Sequence, residues 1–215
     1  VLARRDFLAL AAALLVAVPG ISAGQSYDLL LNAVNDGDAK TVGDLLNRGL
    51  DPESTDKEGN SLLMIAARLG HADLVSLLIE RDVKLNRQSP HGDTALMMAC
   101  LKGHLQIVKL LVSNGAMIKM EGGWTPLHYA AFEGRADVVK YLLEKGADKN
   151  NLAPNGYSAL MLAARGGHLE AARQLLYTDA DTAIKGPKGE TALEIARERK
   201  ATEVEALLKR AGAAE

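Results

Sequence analysis

Apolar residues recur along most of the chain in paired short runs at helical spacing. The second run of each pair is the broader. It reads Leu74, Val75, Leu77, Leu78 and Ile79, then Ile107, Val108, Leu110 and Leu111, then Val138, Val139, Tyr141 and Leu142. Leu169, Ala172, Leu175 and Leu176 follow, and Val204, Leu207 and Leu208 close the series. Steps of three and four put such residues on one face of an α-helix. The first run of each pair is narrower and built from small residues: Leu63, Ala66 and Ala67; Leu96, Ala99 and Cys100; Leu127, Ala130 and Ala131; Leu160, Ala163 and Ala164. Small side chains at a helix contact allow close packing. Gly70, Gly103, Gly134 and Gly167 separate the two runs. The pattern predicts an all-α chain of helix–turn–helix units joined by polar, hairpin-like fingers.

The units share a phrase. Its clearest copy is Gly123-Trp124-Thr125-Pro126-Leu127-His128-Tyr129-Ala130-Ala131. Other copies open at Gly59, Gly92, Gly156 and Gly189, so successive glycines stand 33, 31, 33 and 33 residues apart. A fixed period in this range marks a stacked array. The phrase resembles the ankyrin-repeat signature, over residues 26–212. The resemblance implies an all-α ankyrin-repeat solenoid of about six stacked units, near 25–55, 56–88, 89–119, 120–152, 153–185 and 186–215. Each unit contacts only its neighbours, so 24–215 forms one elongated domain with no central core. Such arrays bind other proteins through a concave surface of fingers and first helices.

The end units depart from the phrase, as units with one solvated face should. In the first, Ser26 is placed to N-cap a helix from Tyr27, with Leu29, Leu30, Ala33 and Val34 as its apolar side. A second helix is expected from Ala39 to Arg48, closed by Gly49. In the last unit, Glu194 stands where other copies carry His or Met, and Arg197, Glu198, Arg199 and Lys200 form a water-facing end. The two residues missing from the period fall between Gly115 and Gly123. The finger there is therefore short, and it is also the most apolar, predicting a notch in the row of fingertips.

Residues 1–23 read as an export signal. Arg4-Arg5-Asp6-Phe7-Leu8 precedes an apolar run from Leu8 to Val18, and Ser22, Ala23 and Gly24 supply small residues for cleavage. The run is short of the roughly 20 residues that span a bilayer. The paired arginines resemble a twin-arginine signal, with the general secretory route as the alternative and an uncleaved tether as a third possibility.

Composition removes several function classes. Net charge is −2, which gives no broad basic field for nucleic acid. A single Cys excludes disulfide frameworks and multi-cysteine metal motifs. His71, His104 and His168 share one position per unit, but neighbouring helices lie about 8–10 Å apart. Zinc holds nitrogen ligands at about 2.0–2.1 Å, so one ion cannot bridge two such histidines. These rings are expected to hydrogen-bond and pack near the second helix. By the resemblance, His128 bonds to neighbouring backbone. Met64, Met97 and Met161 occupy the His128 position in other units and read as adaptable interface fillers. Cys100 reads as a buried small residue. No nucleophile elbow or phosphate loop is present, so no catalytic role, cofactor or metal is expected.

Aromatics are only 4% of the chain, which makes their positions informative. In ankyrin repeats, partner contacts concentrate beside the phrase glycine and at the end of the first helix. The resemblance therefore nominates Trp124, Tyr157 and Asp93 from the first class, and Arg68, Leu69, Leu101, Phe132 and Arg165 from the second. Trp124, Phe132 and Tyr157 are expected to form one interaction patch; the other reading of Trp124 is a cover for its shortened finger. The function expected is that of an exported periplasmic monomer that binds another protein, with no nucleic acid and, after signal cleavage, no membrane. One version is a scaffold or protector of a resident enzyme in stress defence. Others are an inhibitor or immunity protein against a toxin or hydrolase, and an envelope-tethered structural protein.

Overall fold

In the computed structural model, which describes residues 23–120 and 122–213, twelve helices form six antiparallel pairs. The pairs are α1 (Ala23–Asp36) with α2 (Ala39–Asn47), α3 (Leu62–Leu69) with α4 (Ala72–Glu80), and α5 (Ala95–Lys102) with α6 (Leu105–Ser113). They continue as α7 (Pro126–Phe132) with α8 (Ala136–Glu144), α9 (Ala159–Gly166) with α10 (Leu169–Leu176), and α11 (Ala192–Glu198) with α12 (Thr202–Arg210). First helices stack on one another in an inner row, α1 to α11, and second helices stack in an outer row, α2 to α12. The export signal read over 1–23 lies outside the described residues, except for Ala23.

Each inner helix from α3 onward starts at a hydroxyl. Ser61, Thr94, Thr125, Ser158 and Thr191 accept the backbone N–H three residues on. Such a cap contributes about 1 kcal/mol. The return bond of a capping box usually comes from Glu or Gln. Here it is made with three chemistries: the sulfurs of Met64 and Met97 at 3.4 Å, the Nδ1 of His128 at 3.1 Å and the carboxylate of Glu194 at 2.7 Å accept the cap's N–H. The methionines are thus acceptors as well as fillers, which the sequence reading did not anticipate.

The core runs the length of the stack. Leu78, Leu111, Leu142, Leu175 and Leu208 are fully buried in the outer row, and Ala66, Ala99, Ala130, Ala163 and Ala196 in the inner row. Each buried leucine contributes about 1.5–3 kcal/mol relative to exposure. The first unit corrects two expectations. Helix α1 begins by Ala23, so Ser26 is not its N-cap but a helical residue only 3% exposed. Leu29, expected on the apolar side, is 40% exposed, while Leu30, Ala33 and Val34 are buried. Ser26 lies in the first turn inside α1, where it is buried rather than set at a helix end.

Candidate binding face

Between units the chain forms tight turns that project as fingers. In four of them the residue opening the turn and the residue after the phrase glycine are joined by a backbone bond: Asp56 to Asn60, Ser89 to Asp93, Ala153 to Tyr157 and Gly186 to Glu190. Among the described residues no such bond joins Met120 to Trp124, so the short finger turns differently, as the missing residues predict. Its Met117 is 52% exposed.

Side chains clamp finger to finger. The Glu53 carboxylate accepts the Lys84 N–H at 2.6 Å and pairs with Arg87 at 3.0 Å. Asn86 accepts the Met117 N–H at 2.8 Å, and Asn150 accepts the Asp181 N–H at 2.9 Å. The equivalent residue in the short finger is Lys119. A lysine ammonium has donors and no acceptor, and no such clamp joins that finger to the next among the described residues.

A second ladder runs at the base of the concave face. Nε2–H of His71, His104 and His168 donates to the carbonyl of Asn35, Arg68 and Phe132 in the preceding unit, at 2.9, 3.2 and 2.9 Å. Arg135 takes the same role through Nε, 3.1 Å from the Leu101 carbonyl. These carbonyls lie at the ends of the inner helices, where backbone acceptors lack helical partners. The histidine row is structural, as read from the sequence. The glycine two residues after each acceptor makes room for the ring. A Cβ on Gly70, whose φ is +88°, would stand 2.8 Å from the His104 ring. In the last junction Ala201 replaces the histidine, and a Cβ on Gly167 would meet only its methyl at 3.7 Å. In the last unit itself Lys200 fills the glycine position with φ +56°.

His128 is 1% exposed and fully engaged. Nε2–H donates to the Asn151 carbonyl at 3.0 Å, and Nδ1 accepts the Thr125 N–H at 3.1 Å. Burial holds its pKa below the ordinary histidine value, against the opposing pull of the Asn151 carbonyl and Asp148. Cys100 is completely buried, and desolvation pushes its thiol far up, which leaves no thiolate for chemistry. Among the described residues no group of three His, Cys, Asp or Glu side chains could hold a metal ion.

The nominated contact residues fall into distinct settings. Trp124 is half-buried; its ring stands edge-on to His128 with centroids 5.9 Å apart and tilted to Tyr129 at 5.7 Å. The Tyr129 hydroxyl donates to Asp93 of the preceding unit, and burial with this bond raises its pKa. Tyr157 donates to Glu190 at 3.0 Å and carries the Arg165 guanidinium over its ring at 5.8 Å. Phe132 and Leu69 are 47% and 42% exposed, Arg165 is exposed, and Arg68 and Leu101 are half-buried. The structure thus joins Trp124 to Tyr129 and Asp93, and Tyr157 to Arg165; Trp124, Phe132 and Tyr157 do not stack on one another. The Tyr129–Asp93 clasp escaped the sequence reading. Ile65, Met98, Leu162 and Ile195 occupy the Tyr129 position in other units, so no repeating signal marks it.

Comparison with known proteins gives consistent results. A family model described as ankyrin repeats (3 copies) matches residues 30–121, 82–153 and 146–214. The ankyrin repeat and SAM domain-containing protein 6 of Rattus norvegicus and that of Mus musculus are each 51% identical over 37 residues. That stretch is 17% of this chain and spans only 4% of each relative. Among solved structures, an ankyrin repeat domain from Acinetobacter baumannii AYE superposes with a TM-score of 0.75 at 28% identity, over 87% of this chain and 99% of that one.

Proposed function

The chain belongs to the ankyrin-repeat family, and from that premise we propose that it is an exported scaffold that engages a periplasmic protein through its concave face. Repeats of this kind indicate protein–protein interaction rather than catalysis. The observation that carries the reading is the exposure of Phe132 and Leu69 at the ends of inner helices whose carbonyls are pinned by the next unit. Exposed apolar anchors on a rigid support have the character of an interaction hot spot. Export rests on Arg4-Arg5 before the short apolar run and on the small residues that follow it. A partner that is a resident enzyme, protected under stress, fits this setting.

Affinity purification from periplasm, followed by mass spectrometry, tests the reading. Phe132→Ser and Tyr157→Ala should each weaken recovery of the dominant partner at least tenfold, about 1.4 kcal/mol, with little change in unfolding. Trp124 is a poorer probe, because its ring packs on His128 and Tyr129. Recovery that is indifferent to both substitutions would move the site off this face. Intact mass of the protein from its host should show a start near Gly24 or Gln25; a full-length, membrane-bound main form would overturn export.

A further inference from the structure

Four acids on or beside the concave face are engaged within the molecule, while several of its cations are not. Asp93 takes the Tyr129 hydroxyl, Glu190 takes the Tyr157 hydroxyl and the Lys188 N–H, and Glu53 holds Arg87 and Lys84. Glu133 lies 3.7 Å from Arg135. Arg68, Lys102 and Arg165 have no ion pair among the described residues, and Arg165 has only the Tyr157 ring beneath it. The chain's net charge is −2, so this local excess of positive charge does not follow from composition.

These side chains are also ordered in space. Arg68, Leu101, Phe132 and Arg165 occupy the same position of four successive units, and the carbonyls of the first three are the ones gripped by His104, Arg135 and His168. The row therefore reads cation, apolar, apolar, cation on a fixed support. Lys102 lies beside Leu101, and Glu198 continues the row past Arg165. Helices packed about 8–10 Å apart put the two arginines about 24–30 Å from each other.

We infer that this row receives a polypeptide segment whose apolar pair is flanked on both sides by carboxylates. The inference rests on the concave face being the binding surface and names the chemistry of what binds there. Leu101 and Phe132 take the apolar pair, and Arg68 and Arg165 each meet a carboxylate. In an extended segment rising about 3.3 Å per residue, the two acids lie about eight residues apart. Glu198 disfavours a third acid beyond Arg165, which gives the segment a direction.

Selection of phage-displayed random peptides of about 16 residues on the immobilised full chain tests this. Selected peptides should carry Asp or Glu on both sides of an aromatic or aliphatic pair. The Arg68→Glu, Arg165→Glu double variant, with its unfolding midpoint checked, should bind the best of them at least about tenfold more weakly and select Lys or Arg flanks instead. Neutral or basic flanks on the unaltered chain, an empty selection, or full retention of the acidic peptides by the double variant would overturn the inference. Loss of capture with Phe132→Ser but not with charge reversal removes only the acidic chemistry. Acidic peptides indifferent to Phe132→Ser and Leu101→Ser would remove the concave face itself as the binding surface.

Discussion

Replacing Gly70 by Ala tests the ring ladder directly. The position has φ +88°, and a Cβ there would sit 2.8 Å from Cε1 of His104. The left-handed conformation alone costs a non-glycine residue about 1–2 kcal/mol. Roughly 0.4–1 kcal/mol of that is offset by the reduced freedom of the unfolded chain. The ring must then move away, giving up its bond to the Arg68 carbonyl at 3.2 Å, which is worth about 0.5–1.5 kcal/mol. The total expected for Gly70→Ala is about 0.5–3 kcal/mol, centred on ~2 kcal/mol. Gly167→Ala is the internal control: it has the same position and φ +69°, but it faces Ala201 with 3.7 Å to spare. It should lose only the backbone share, about 1 kcal/mol. Urea unfolding measures both. A double-mutant cycle with His104→Ala should bring the loss at Gly70 down to the control value. Equal losses at Gly70 and Gly167, or no coupling to His104, would refute the claim that the neighbouring ring is what requires glycine.

Leu111→Ala and Leu142→Ala, both fully buried in the middle of the outer row, should each cost about 2–5 kcal/mol in urea unfolding. Leu208→Ala should cost less although it is equally buried, because α12 packs on α10 and α11 with no seventh unit beyond it among the described residues; equal losses at all three would contradict a stack held by neighbour contacts. The depressed pKa of His128 means that the unfolded chain takes up its proton first. Its contribution is therefore complete above the unfolded value of about 6.5 and is lost as pH falls from there through the lower folded value. His128→Met, which borrows the cap used by Met64 and Met97, should flatten the stability profile on the acid side of about pH 6.5. An unchanged slope would mean that His128 is not the group responsible.

The repeat was legible because its signals are local and multiplied. Gly70, Gly103 and Gly167 fall after helical runs, Ser61 and Thr94 before them, and a 33-residue period makes each copy support the rest. The structural role of His71, His104 and His168 followed from repeat spacing and ligand distance. The start of α1 was not legible, because Ser26, which has the chemistry of an N-cap, lies inside the helix. The sulfur caps of Met64 and Met97 were missed because methionine is seldom weighed as an acceptor. The Tyr129–Asp93 clasp, and the lack of ion pairs at Arg68, Lys102 and Arg165 among the described residues, depend on which side chains meet across units. Formal charge counts every acid as free, whereas Asp93, Glu53 and Glu190 are already occupied.

The finger clamps also determine how the array deforms. Joints in series share a load, and the most compliant joint takes most of the strain. Fingers one to three are tied by Glu53 and Asn86, and fingers four and five by Asn150. Lys119 leaves the joint between the third and fourth without this tie. Bending of the row of fingertips is concentrated there, so the face opens like two stiff boards on one spine. That spine lies between the finger of Met117 and the finger of Asn150, and a guest too wide or too narrow for the resting curvature adjusts the fingertips there.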